Sequence, residues 1–180
     1  VTGLANKAII MKALPKLRRE MLIEYSDSSS MKAILEKVKH LDDDWMVYLA
    51  PFTMDADGNY YSFNDVVRLL SEASPVPIYG SWDFYLGKGI VGGYITSGYM
   101  QGKLAGELAL SVVKGANPGI IPVFEKSAVR IKFDQSLLSK FNIDQDLLPD
   151  KSIVINREKT FFEKNLTLFK NSLRIGLVLI

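Results

Sequence analysis

The sequence contains no cysteine and only one histidine, His40, among its 180 residues. Without thiols the chain cannot hold a disulfide framework, a cysteine-ligated structural zinc ion or a catalytic thiol. Histidine chemistry would rest on His40 alone, which the sequence pattern places at the negative end of a helix, so we interpret it as structural. The compartment stays open, because a cysteine-free chain suits an oxidising exterior and a cytosol alike.

The chain also lacks an excess of charge of either sign. It has 22 basic and 20 acidic residues and a formal net charge of +2. This balance disfavours nucleic acid as a partner. Hydrophobic residues make up 48% of the chain and charged residues 23%, which is ordinary globular usage and argues against disorder. We therefore expect one domain or two small lobes.

A hydrophobic run long enough to cross a membrane is absent as well. The closing residues 175–180 are apolar apart from Gly176, whereas a spanning helix needs about twenty apolar residues. This ending is either the end of a buried element or the beginning of a transmembrane segment. Together with the opening Val1, it leads us to expect a fragment of a longer protein.

Helical and extended patterns alternate along the chain. Helical spacing of apolar residues predicts helices over residues 4–17 (ending near Ala13 because of Pro15), 31–41, 63–73, 100–113, 134–141 and 160–170. Extended patterns cover residues 20–25, 45–52, 76–80, 129–133 and 152–156. Apolar strands that alternate with helices predict an α/β fold with a parallel sheet flanked by helices on both faces.

Three motifs suggest cofactor or metal chemistry, and we interpret each of them as structural. Residues 87–92 match G-x-G-x-x-G, but they do not leave a strand directly and do not open a helix, so a turn and crossover is favoured over a dinucleotide site. Residues 53–64 overlay a calcium loop without its first and last ligands, which favours a polar turn. The run Asp42-Asp43-Asp44 is typical of a solvated turn. We predict no cofactor and no metal site.

The candidate binding residues follow two of the predicted strands. In an open parallel sheet, ligands bind beyond the carboxyl ends of the strands, where this chain carries Phe52, Ser81, Trp82, Asp83 and Phe84. Trp82 offers a planar face and Asp83 a carboxylate that suits an ammonium group, so a small amine or amino acid fits. The alternative, in which Trp82 packs locally and Asp83 caps a turn, stays open.

The stretch "SWDFYLGKGIVGG", residues 81–93, carries a family resemblance that extends from "TGLANKA" at the start of the chain to Asn156. The sequence resembles the extracytoplasmic substrate-binding domain of ABC-transporter type, with the periplasmic-binding-protein type I fold, in the form fused to bacterial sensor histidine kinases. The resemblance implies two α/β lobes around a ligand cleft. Residues 1–88 and 126–158 would belong mainly to the second lobe, 89–125 to the first, and 159–180 to a juxtamembrane helix and the start of a transmembrane segment.

The function implied by this resemblance is a noncatalytic, ligand-binding sensor domain of a membrane-anchored histidine kinase, which signals by lobe closure. It would lie outside the cytoplasm, periplasmic or at the cell surface, bind a small molecule and contact the membrane through its C-terminal segment, and a homodimer stays open. The alternative is the solute-binding protein of an ABC transporter. An α/β enzyme that uses Asp83 is disfavoured, because no base, nucleophile and orienting group can be assembled from the sequence.

Overall fold

The computed structural model describes residues 2–13, 21–26, 29–122, 129–157 and 165. Its helices are α1 (Thr2–Ala13), α2 (Met31–Lys39), α3 (Phe63–Ala73), α4 (Gly98–Val113) and α5 (Gln135–Lys140). Its strands are β1 (Val47–Leu49), β2 (Ile78–Gly80), β3 (Gly92–Thr96), β4 (Val129–Asp134) and β5 (Ile153–Ile155). Within the described ranges, short 3-10 helices occupy Asp83–Tyr85, Pro118–Ile120 and Gln145–Leu147. The helix predicted over 160–170, apart from Asn165, and the apolar ending lie outside the described residues.

The helices begin at polar side chains that satisfy free backbone N–H groups. Ser30, Ser62 and Ser97 precede α2, α3 and α4, and each accepts a hydrogen bond from the N–H three residues further on. Asp134 does the same for the N–H of Ser136 at the start of α5, as the sequence predicted. Helix α1 is described as far as Ala13, and the following residues 14–20 lie outside the described ranges, so the predicted end of this helix near Ala13 stays a prediction.

The sheet has the order β1-β2-β3-β4-β5, and its first three strands are parallel to one another. Strand β4 pairs antiparallel with β3, and β5 pairs parallel with β4. The predicted α/β class is confirmed. The sheet was predicted to be parallel and is mostly parallel, with the pairing of β3 and β4 as the departure. Strand β4 has the sequence VRIKFD, in which apolar and polar residues alternate, a pattern more typical of antiparallel than of buried parallel strands.

One face of the sheet is covered by helices α2 and α3, as predicted. The other face is covered by α5 beside β4 and β5 only, since Tyr48 and Tyr94 on that face are 49% and 66% exposed. Neighbouring residues of a strand point to opposite faces, and in β2 Ile78 belongs to one hydrophobic cluster while Tyr79 belongs to the other. The larger cluster joins β1, β2 and β3 to α2 and α3, and its fully buried members include Val66, Val67 and Ile95. The smaller cluster packs α5 and the segment after it against β4 and β5. These clusters fix the carboxyl ends of β1 and β2 in place.

Residues 21–25, the described part of the extended strand predicted over residues 20–25, form no strand in the structure. The strand prediction for this segment is wrong. Met21 and Leu22 are exposed, and no described strand offers them a partner. The segment is held instead by contacts with helices: the Glu24 carboxylate pairs with Lys37 of α2, and the ammonium group of Lys7 in α1 lies 4.5 Å from the centre of the Tyr25 ring.

Helix α4 differs from the other helices that flank the sheet, because none of its residues is buried. Leu104 and Leu108 are half-buried, while Tyr99, Leu110 and Val113 are exposed. Strand β3, which leads into α4, lies inside the five-stranded sheet between β2 and β4. The assignment of residues 89–125 to a first lobe stays a prediction.

Candidate functional site

The candidate site lies at the carboxyl ends of β1 and β2. These strands are parallel and in register, with Leu49 opposite Gly80, so the residues that follow them emerge at one edge of the sheet. A hydrogen bond of 3.1 Å from the Tyr48 hydroxyl to Ser81 Oγ joins the two strand ends. The structure therefore brings Ser81 to the edge at which the sequence placed it.

An aromatic stack covers this edge. The rings of Trp82 and Phe84 are stacked with centroids 5.5 Å apart, and Phe84 is stacked on Phe63 of α3 at 4.4 Å. Tyr85 lies edge-on beneath the stack, fully buried, with its ring 4.6 Å from that of Phe84. Trp82 and Phe84 are themselves only half-buried. Local packing thus explains part of their role and leaves part of each side chain accessible.

Phe63 was missed by the sequence reasoning. It is the first residue of α3, and the helical spacing counted it as a core position, although its side chain is 37% exposed and extends the aromatic stack. The available signal was its position directly after the N-capping Ser62, since side chains in the first turn of a helix lie near the edge of the sheet on which the helix packs. Phe63 therefore joins the candidate site.

Phe52 approaches the same hydrophobic cluster from the end of β1. Its ring lies 6.4 Å from that of Tyr61, and its backbone lies near the buried Tyr85 hydroxyl. Burial raises the pKa of Tyr85, and the neighbouring Phe52 backbone offsets part of this increase. The Tyr85 hydroxyl has no hydrogen-bond partner within the part of the chain that the structure describes. Phe52 is half-buried and packs against this cluster.

Asp83 points toward helix α4 rather than along the stack. Its Oδ2 accepts a hydrogen bond of 3.1 Å from the backbone N–H of Gly98, the first residue of α4. The segment before it is tied to the end of β3 as well, since the Thr96 N–H donates to the Ser81 carbonyl at 2.8 Å. The structure thus gives Asp83 a capping role. Whether these side chains also bind a ligand stays a prediction.

The glycine-rich segment after the site forms a turn and then a strand. Residues 87–89 make the turn, and Gly92 opens β3 instead of a helix, which confirms the turn-and-crossover interpretation. Gly89 packs against α3, where an added Cβ would lie 2.6 Å from Ser71 Cβ. The Lys88 ammonium donates to Asn64 Oδ1 at 2.8 Å and so ties the turn to α3. These glycines serve close packing.

The calcium-like loop is a polar turn organised by Asp55, as predicted. This buried carboxylate accepts hydrogen bonds from the backbone N–H groups of Met31, Asp57 and Asn59, from the Asn59 amide and from the Tyr61 hydroxyl. Burial by itself raises the pKa of Asp55, but these hydrogen bonds outweigh burial and lower that pKa to about 2. The sequence did not indicate that Asp55 also caps the start of α2.

The run of three aspartates before β1 forms the turn that the sequence predicted. Asp42, Asp43 and Asp44 are exposed and form a turn in which the Asp44 N–H donates to Asp42 Oδ1. His40 follows α2, and its Nδ1 lies 2.7 Å from the Glu36 carbonyl oxygen. The described residues contain no group of three or more His, Cys, Asp or Glu side chains positioned to hold a metal ion. No helix among the described residues has the length and apolarity needed to cross a membrane.

Comparison with protein-family models, with curated proteins and with solved structures found no match to this chain. The resemblance of residues 81–93 and their surroundings to substrate-binding domains therefore stays a prediction. The architecture that the structure supports is a mixed α/β domain with a mostly parallel five-stranded sheet flanked by helices.

Proposed function

We propose that this chain is the ligand-binding part of an extracytoplasmic sensor domain of a membrane-anchored histidine kinase. It is noncatalytic, and it binds a small molecule at the carboxyl edge of β1 and β2. The observation that carries the binding proposal is the half-exposed stack of Trp82, Phe84 and Phe63 at this edge, where the Tyr48 and Ser81 hydroxyls also join the two strand ends. Aromatic faces with a few polar groups at this edge of a sheet are typical of small-molecule sites.

The chemistry of this edge favours a ligand with a positive charge. Aromatic faces attract ammonium groups, most strongly the indole ring, and the stack presents Trp82 at its end. The Asp83 carboxylate is next to Trp82 in the chain, and an ionised carboxylate forms strong hydrogen bonds with an ammonium group. The hydroxyls of Tyr48 and Ser81 add neutral donors and acceptors. A free amino acid or a similar small amine combines these features.

The exposure of α4 supports the proposal that a second lobe completes the cleft. A helix with apolar side chains around most of its circumference is stable when it is covered on several sides. Helix α4 buries no residue among those described, and Leu110 and Val113 are 52% and 82% exposed. A helix of residues 89–125 that packs in a first lobe, as the sequence resemblance implies, fits this pattern.

Signalling follows from closure of two lobes around the ligand, which shifts a population between open and closed forms. Residues 159–180 would carry the change to the membrane and the kinase. This part of the proposal, like the extracytoplasmic location, depends on the sequence resemblance, because residues 158–180 are outside the described ranges except for Asn165.

The test is a binding titration that uses Trp82 as its own reporter. The chain has two tryptophans, so Trp45→Phe leaves Trp82 as the only indole. The standard amino acids, ethanolamine and putrescine are then titrated one at a time while Trp82 fluorescence is followed. We expect at least one compound to change the emission in a saturable way, because a ligand on the stack displaces water from the indole ring.

Substitution at the two tryptophans provides the matched control. Trp82→Ala removes the end of the stack and is expected to lower the affinity of that compound by about tenfold or more, measured by calorimetry. Trp45→Ala changes the same residue type at the half-buried position after the Asp42–Asp44 turn and is expected to leave the affinity unchanged. If no compound binds, or if both variants lose affinity equally, the proposed site is wrong.

A further inference from the structure

The Asp83 carboxylate links the aromatic stack to the start of α4, in addition to the backbone hydrogen bond between Thr96 and Ser81. On one side it follows Trp82 at the end of the aromatic stack. On the other side its Oδ2 accepts a hydrogen bond from the N–H of Gly98, the residue at which α4 begins. A ligand that binds the Asp83 carboxylate therefore contacts the candidate site and also affects the start of α4.

Helix α4 has few other attachments. None of its 16 residues is buried, so side-chain packing holds it only through half-buried residues such as Leu104 and Leu108. At its N-terminus the buried Ser97 accepts a hydrogen bond of 3.4 Å from the Met100 N–H, and Asp83 provides the shorter bond of 3.1 Å. The orientation of α4 consequently depends on how its first turn is held.

The two oxygens of Asp83 are used differently. Oδ2 is bound to the Gly98 N–H, whereas Oδ1 accepts no hydrogen bond from any residue in the described ranges. The N-terminus of a helix carries a partial positive charge, because its first four N–H groups lack partners within the helix. A negative carboxylate stabilises that end, and an added cation next to the carboxylate opposes this stabilisation.

We infer that Asp83 couples ligand binding to the position of α4, an inference that rests on the proposed function. An ammonium group that binds Oδ1 places a full positive charge beside the positive end of α4 and weakens the Oδ2 to Gly98 hydrogen bond. The start of α4 is then released, and the weakly packed helix moves. The coupling is reciprocal, so a change that loosens this bond also changes the affinity for the cation.

The first measurement tests the link without any ligand. Hydrogen exchange of the Gly98 amide is compared in the wild-type chain, Asp83→Asn and Asp83→Ala. A hydrogen bond to a charged acceptor is worth more than one to a neutral acceptor, so Asp83→Ala is expected to speed exchange of this amide by about tenfold or more, and Asp83→Asn by about threefold or less. Asp144→Ala is the matched control, because Asp144 accepts a hydrogen bond of 3.0 Å from the Asp146 N–H far along the chain. It should leave Gly98 unchanged.

The second measurement adds the amine. The standard amino acids, ethanolamine and putrescine are tested for binding by calorimetry and for their effect on exchange of the Gly98 amide. We expect each compound that binds to speed exchange at Gly98 in the wild-type chain, and to have no further effect in Asp83→Ala, where the bond is already absent.

The outcomes separate this inference from the proposed function. A compound that binds with the Trp82 dependence described above but leaves Gly98 exchange unchanged overturns the coupling and leaves the site intact. Gly98 exchange that is insensitive to Asp83→Ala also overturns the coupling. If none of the compounds binds, the proposed function fails, and the coupling to a ligand fails with it.

Discussion

Helices α3 and α4 show that an apolar helix is buried only when its partner is present. Both contain several Leu and Val residues, yet α3 buries Val66, Val67 and Leu70 against the sheet, whereas α4 buries none of its residues. The apolar residues of α3 lie on one stripe that faces β1 and β2. Those of α4 are spread around the helix, so a single sheet face cannot cover them. This difference supports the proposal that α4 belongs to a second layer of structure.

The largest difference between the two helices is expected from matched Leu→Ala substitutions. Leu70 of α3 is 4% exposed and Leu110 of α4 is 52% exposed. Leu70→Ala removes buried methyl groups and leaves a cavity, so we expect a loss of about 2 to 5 kcal/mol in the free energy of unfolding. Leu110→Ala exposes little new surface and should stay within about 0.5 kcal/mol of the wild-type chain. Urea denaturation followed by far-UV circular dichroism measures both.

A large decrease in the free energy of unfolding with Leu110→Ala would contradict the contrast between a buried α3 and an exposed α4. It would mean that α4 is covered in solution, by a second copy of the chain or by residues outside the described ranges. The same titration at several protein concentrations distinguishes these, because only cover by a second copy makes the unfolding midpoint depend on concentration.

A second, smaller difference is expected from matched Gly→Ala substitutions. Gly89 lies against α3 with a φ of +142°, and an added Cβ would meet Ser71 and the Val67 carbonyl oxygen. Gly89→Ala is therefore expected to lower the free energy of unfolding by about 1 to 3 kcal/mol. Gly102 lies within α4, and an added Cβ there meets nothing within 4 Å. Gly102→Ala should stabilise α4 by about 1 kcal/mol, since alanine is the better helix former.

Thermal unfolding followed at 222 nm tests this pair directly. If Gly102→Ala destabilises the chain instead, the space above Gly102 is filled in solution, and α4 is not the uncovered helix described here. If Gly89→Ala is neutral, the turn before β3 adapts, and its contact with α3 is looser than the structure indicates.

The element pattern was predictable from the sequence wherever periodicity and a capping residue agreed. Helix α3 was predicted with its observed bounds from its apolar stripe, and the structure shows that Ser62 caps its start. Residues 20–25 have an equally clear extended pattern, but a strand also needs a neighbour with free backbone groups, and a single segment carries no information about that neighbour. The prediction of a parallel β4 was wrong although the alternation of apolar and polar residues in this strand is typical of antiparallel pairing.

The candidate site was predictable in position but not in contacts. Phe52 and Ser81 to Phe84 follow parallel strands, and the chain order alone brings them to one edge of the sheet. The ring of Phe84 stacks on Phe63, which lies 21 positions earlier in the chain. The Asp83 carboxylate accepts a hydrogen bond from Gly98, which lies 15 positions later. Such contacts depend on how α3 and α4 pack, which local sequence patterns do not specify.

The smallest expected effect is on the pH dependence of the free energy of unfolding. It tests how α2 is attached beside the buried helix α3, in contrast to the exposed α4. Asp55 holds the start of α2 to the turn before α3, and its hydrogen bonds lower its pKa to about 2, against about 3.9 for an unfolded aspartate. Because the folded pKa is the lower one, the stabilisation is present above pH 4 or so and is lost as the pH falls toward about 2. Urea denaturation at a series of pH values between about 5 and 2 should show this loss in the wild-type chain. Asp55→Asn removes this contribution to the pH dependence, whereas Asp57→Asn, in the same turn, retains it. If the stability of Asp55→Asn fell with pH as much as that of the wild-type chain, the Asp55 carboxylate would not stabilise α2. Helix α2 would then be held to α3 by apolar packing instead.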